Sequence, residues 1–295
     1  MSNETRATAA VIDYVTRSGL DRFSSEAVSL AKQCIIDGLG VILAGSAAKG
    51  TGIVRDYVRA GKETGESTAL GGVPFTCRAA SAALINGTAG HALDFDDTQL
   101  SSSPDRIFGL LTHPTIPPLA ASLAVGERLG VSGRQFIEAY LIGFEVECKM
   151  AEAINPTHYQ NGFHSSGTFG TFGAMISAAK LLGLNAETLG HALAIASSMS
   201  SGIRLNFGTM TKPLHVGQAA RNGLLAAQLG KSGFTANVQT LEARNGFLDS
   251  YYHGGKADLK PIEDLGRVYA MEKYGVRFKP YPCGGLTHTA IYSAI

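Results

Sequence analysis

The sequence predicts a mainly α fold: a large all-helical domain followed by the start of a small α/β lid domain. Three observations carry that expectation. Long stretches repeat apolar residues at helical spacing between short Gly-, Ser-, Asn- or Pro-rich links. Strand signals are scarce, the best being Val276-Arg277-Phe278-Lys279, which alternates and then meets Pro280 and Pro282. Composition is apolar and small-residue rich, with 45% hydrophobic residues, 36 Gly and 17% charged residues, as suits closely packed helices.

Element by element, residues 25–45 begin after a serine and end on glycine, as helices do. Residues 77–93, 114–130, 133–154, 168–183, 186–200 and 213–230 show the same periodicity. Residues 1–265 therefore form one helical domain. A polar, charged stretch with Pro261, residues 256–267, reads as a linker. Residues 266–295 read as the first strand and helix of the lid, and the apolar helix over 291–295 has no stop signal.

Composition bounds the function. Lys+Arg is 25 against Asp+Glu 24, so the basic excess of a nucleic-acid binder is missing. Cys34, Cys77, Cys148 and Cys283 form no CxxC pair, which points to reduced thiols in a cytoplasmic protein rather than to zinc or disulfides. Residues 1–10 lack a signal-peptide core, and no continuous apolar run of membrane length occurs, so neither export nor membrane insertion is expected.

Four segments place a polar residue just before a helix. His113-Pro114 sets a histidine at a helix mouth, because proline suits the first helical position and pushes its predecessor out of the α region. Lys212-Pro213 repeats the pattern, His164 lies among glycines and hydroxyls, and His288 follows a Pro-Cys-Gly-Gly turn. Helix N-termini carry partial positive charge and free N–H groups, so several mouths, a lysine and histidines together suit a multiply charged anion. Asp94, Asp97 and Thr98 share a face if their helix continues. Those acids could divide acid and base roles, bind a divalent metal, or simply end a helix in solvent. Gly167–Ala174 lacks a GxGxxG spacing and reads as small residues that let helices approach.

Taken together, AALINGTAGHALDFDDT (82–98), GFHSSGTFGTFGA (162–174), NFGTMTKPLHVGQAARNG (206–223) and FKPYPCGGLTHTAI (278–291) resemble the MmgE/PrpD family over essentially the whole chain. The resemblance implies a lyase or isomerase, of dehydratase, decarboxylase or epimerase type, acting by acid–base chemistry beside a carboxylate of a small polycarboxylate. It also implies a homodimer, no cofactor and no metal. Its pocket would draw on Asp94, His113, His164, Lys212 and His288 for catalysis, with Thr98 and Lys212 binding substrate. The segment Gln99–Thr112 is longer than in the family's decarboxylase. Family members continue past Ile295 and bring a lid tyrosine from there, so this chain alone is expected to turn over poorly. A non-catalytic helical protein that binds carboxylates or dimerises is the alternative, and a DxDD metal hydrolase a further one.

Overall fold

The computed structural model describes residues 7–99, 109–253 and 257–295. It is 65% helical with two short strands, which makes the fold mainly α. In chain order the helices are α1 (Ala7–Arg17), α2 (Ser25–Gly45), α3 (Lys49–Ala60), α4 (Ala79–His91), α5 (Ile116–Leu129), α6 (Gly133–Ile154), α7 (Thr157–Gln160), α8 (Ser165–Leu182), α9 (Ala186–Met199), α10 (Thr211–Lys231), α11 (Phe247–Tyr251), α12 (Lys260–Glu263), α13 (Ala270–Lys273) and α14 (His288–Ala294). Between α3 and α4 an antiparallel hairpin pairs β1 (Ser67–Ala69) with β2 (Phe75–Cys77).

Side chains set the ends. Ser24 accepts the Ala27 N–H at the start of α2, Asn185 accepts the Thr188 N–H at α9, and Ser132 with Gln135 forms a reciprocal capping box at α6. Gly130 and Gly183 close α5 and α8 in the left-handed region.

Helix α8 is the centre. Residues 165–179 are all buried, and the helix packs against α5, α6, α9 and α10. A helix buried all round can be apolar and small-residued on every face. Helix α10 in turn packs against α4, where Gly87 and Gly217 meet. A Cβ on Gly217 would lie 2.1 Å from Thr88 Oγ1 and 2.4 Å from the Leu84 carbonyl oxygen, so only glycine permits that approach.

One described helix, α2, is long and apolar enough to cross a membrane by length and composition. Its Ala27, Ala31, Cys34, Ile35, Gly38, Val41, Ile42 and Gly45 are buried at the 3–4 spacing of an amphipathic core helix, and it packs on α4. Ile36 and Leu43, seven residues apart, remain exposed.

Several expectations change. Helix α4 stops at His91, so Asp94 and Thr98 do not extend a helical face. Asp94 instead takes a left-handed φ of 49°. Helix α5 begins at Ile116 with prolines 117 and 118 in its first turn, leaving Pro114 in the preceding loop. Val276–Lys279 is extended but pairs only at Arg277, through a bridge to Thr98. The stretch read as a linker contains α12, which packs on α6 with Pro261 and Ile262 buried. Lys256 and most of the segment Gln99–Thr112 lie outside the described residues.

Candidate active site

Asp94 is the hub. It sits in the turn after α4, and two ammonium groups converge on its Oδ1: Lys212 Nζ at 3.1 Å and Lys279 Nζ at 2.8 Å. Lys279 also donates to the Asp94 carbonyl oxygen at 2.5 Å. Lys212 is the second residue of α10 and lies over the Phe207 ring. Lys279 is almost wholly buried and arrives along the extended segment after α13. Burial opposes ionisation of Asp94, yet His113, Lys212 and Lys279 outweigh it and bring its carboxyl down to about 2.

Beside this ion cluster four imidazoles form a row. His91 Nδ1 donates to Asp96, 2.8 Å from Oδ2 and 3.0 Å from Oδ1, with both side chains out of solvent. The His113 ring meets His91 edge-on at 4.8 Å, and His164 stacks on His91 at 5.5 Å between centroids. His164 Nδ1 lies 3.1 Å from His215 Nδ1.

Partners fix the tautomers. His113 Nδ1 faces the Asp97 carbonyl oxygen at 2.9 Å, and a carbonyl only accepts. The proton is therefore on Nδ1, and Nε2 offers a lone pair 3.8 Å from Asp94 Oδ1. His91 turns Nδ1 to Asp96, and its Nε2 is buried without a hydrogen-bond partner among the described residues. Burial first, then the neighbouring His91 and the Lys279 and Lys212 ammonium groups, brings the His113 imidazole down to about 3 despite Asp96. Burial likewise holds His164 well below its usual range, helped by His91 and Lys212. The site thus pairs fixed cations with neutral proton acceptors.

The three acids of the DxDD stretch part company. Asp94 meets the lysines and Asp96 meets His91. Asp97 accepts from Thr115 Oγ1 at 2.5 Å, and burial pushes its carboxyl up to about 8. His91, Asp94, Asp96 and His113 bring donor atoms within 4.8 Å of one another, a set of the type a divalent ion uses. Here lysine ammonium groups and the His91 N–H already engage those carboxylates.

Of the residues expected from sequence, Asp94, His113, His164 and Lys212 come together. Thr98 is next to them, and its backbone N–H and carbonyl both pair with Arg277, at 3.1 and 2.9 Å. His288 stands apart at the start of α14. Its Nε2 lies 3.2 Å from the Cys283 carbonyl oxygen and its ring meets Tyr281, although the preceding turn does approach Asp94 at Gly284. Sequence reading missed His91, Asp96, His215 and Lys279. Lys279 lay inside the alternating stretch Val276–Lys279, which reads as a strand. His158 is structural: it bonds Thr168 and the Tyr251 carbonyl within an aromatic cluster.

Against known proteins, the MmgE/PrpD N-terminal domain matches residues 9–260, most of the chain. The chain belongs to the MmgE/PrpD family. Among its family relatives, the cis-aconitate decarboxylase of Mus musculus is 31% identical over 263 residues, covering 88% of this chain and 52% of that protein. That of Homo sapiens is 30% identical over 266 residues, covering 88% and 53%. That of Aspergillus terreus is 28% identical over 301 residues, covering 95% and 58%. This MmgE/PrpD chain therefore spans little more than half the length of the curated relatives it matches.

Proposed function

We propose that this site belongs to a lyase or isomerase that works beside a carboxylate of a small polycarboxylate, by dehydration, decarboxylation or epimerisation. The observation that carries it is the meeting of Lys212 and Lys279 on Asp94, with the His113 lone pair 3.8 Å away. Two ammonium groups on one carboxylate are a ready anion seat: a substrate carboxylate can share or take over the contacts that Asp94 now makes.

Lys212 and Lys279 neutralise the substrate carboxylates. His164 or His113 moves the proton at the adjacent carbon, and the depressed basicity keeps both rings neutral and able to accept at pH 7. Positive charge at the carboxylate stabilises the enolate-like stage common to the three reactions. Asp94 holds the lysines in register, and Thr98 anchors the segment that brings Lys279. His288 joins this proposal through its turn beside Asp94. Decarboxylation of cis-aconitate is the finer form of the reading, supported by the names of the relatives.

The lysines supply the positive charge that a metal would otherwise bring, so we expect turnover to survive chelation with EDTA. A cytoplasmic homodimer with the division near residue 265 completes the proposal; the exposed stripe of α2 offers it an apolar face. The deciding experiment assays cis-aconitate, 2-methylcitrate and iminodisuccinate on this chain and on a version extended to family length. Turnover of one of them by the extended version is expected. No turnover of any substrate by either protein overturns the proposal.

A further inference from the structure

Helix α6 carries a buried ion network remote from the imidazole row. Glu145, Lys149 and Glu152 fall on one face at i, i+4 and i+7, and none is more than 6% exposed. Lys149 Nζ lies between the two acids, 3.8 Å from Glu145 Oε1 and 3.7 Å from Glu152 Oε2. Charges are kept inside a protein only where partners compensate their lost hydration. Three outward contacts among the described residues come from one short stretch of chain. Glu145 Oε2 accepts the Ala270 N–H at 2.7 Å. Glu152 Oε1 accepts Lys273 Nζ at 2.7 Å and also the Tyr274 hydroxyl.

That stretch leads directly to the site. From α13 it passes Arg277, paired with Thr98 by two backbone hydrogen bonds, and ends at Lys279 on Asp94. Gln99 adds a bond from its side-chain amide to the Ala270 carbonyl oxygen at 3.1 Å. Ala270 and Met271 add apolar burial, and the acids of α6 anchor this stretch through hydrogen bonds upstream of the Thr98–Arg277 pairing that precedes Lys279.

We infer that Glu152, with Glu145, is a positioning residue: the acidic face of α6 docks residues 270–274 and thereby sets where the Lys279 ammonium stands in the anion seat. The inference rests on the proposed role of Lys279 as a carboxylate ligand. Placement is worth much in such a seat, since a shift of about 1 Å can cost on the order of 10²-fold in function.

The test uses the full chain and tricarballylate, a saturated tricarboxylate, as probe. Amide exchange is followed at residues 270–279 and affinity by calorimetry. Glu152→Ala should speed exchange at Ala270 and Arg277 about 10-fold and weaken tricarballylate binding about 10-fold. Glu152→Gln keeps an acceptor for Lys273 and Tyr274 and should restore most of both. The double variant Glu152→Ala with Lys279→Ala should bind no worse than Lys279→Ala alone, because the acid acts through the lysine. A general loss of structure would instead add to it. If Glu152→Ala does not fold, Lys273→Met, altered at its solvent side, should give the same faster exchange. Unchanged exchange in the variants, or losses that simply add, overturns the inference. Faster exchange with no effect of Lys279→Ala on affinity overturns the role of Lys279 itself and leaves only the docking.

Discussion

Single side chains decide the chemistry of this site. Lys212 and Lys279 each make a charge-assisted contact with Asp94. Removing either as Lys212→Ala or Lys279→Ala should weaken polycarboxylate binding by about 1.5–3 kcal/mol, on the order of 10- to 150-fold. Calorimetric titration with tricarballylate reads this, and an unchanged affinity for both variants would contradict the anion seat. Asp97 gives a pH-dependent case. Its folded pKa is raised to about 8 by burial, above the 3.8 of a free aspartate. The folded state therefore binds a proton that the unfolded chain releases, so Asp97 costs stability progressively as pH rises from about 4 to about 8. Asp97→Asn keeps an acceptor for Thr115 and should be more stable than the parent by roughly 1–3 kcal/mol at pH 8, with the difference vanishing near pH 4. Urea midpoints across that range check it. At this scale the sequence was readable where a residue type announces itself, as with Lys212 before Pro213 and His164 among glycines. It was not readable for Lys279, whose role comes from a partner 185 positions away. His91 was equally hidden, because only folding removes solvent from its Nε2.

At the scale of elements, glycine content was the legible signal and backbone direction was not. The long helices fall where periodicity puts them, since burial of an apolar stripe depends only on 3.6-residue spacing. The ends of α4 and α5 depart from the pattern because local backbone wins there. Asp94 at φ 49° and Leu111 at φ 54° are left-handed non-glycine residues flanking the site, and such conformations cost of order 1–3 kcal/mol each. At Asp94 the contacts with Lys212 and Lys279 hold the conformation in place. Helix α3 and the β1–β2 hairpin were missed, the first because its few buried positions are Thr51, Arg55 and Val58. The α4–α10 crossing supports a direct prediction. Gly217→Ala places a methyl group against the Leu84 carbonyl and Thr88, and should cost about 1–3 kcal/mol of stability as an overpacking change. Thermal melts of the variant and parent measure it, and an unshifted midpoint would mean that the two helices separate freely.

Over the whole molecule, the site is a junction of four distant stretches at the start of the central helix α8. That explains why motifs far apart in the sequence meet in space. The exposed Ile36 and Leu43 on α2 belong to this scale too. If they seat a second copy, light scattering should give about twice the 30.8 kDa chain mass, and Ile36→Lys with Leu43→Lys should return it to one. A parent that already measures as one chain mass would remove the proposed dimer. Finally, the reach of Lys279 back to Asp94 has a consequence in time. A ribosome makes Lys212 before Lys279, with 67 residues of synthesis between them (279 minus 212). At about 5–20 residues per second that is roughly 3–13 s. Until the trailing segment is made, Lys212 is the one of these two ammonium groups that Asp94 can meet, so the seat carries one positive charge fewer than in the finished fold.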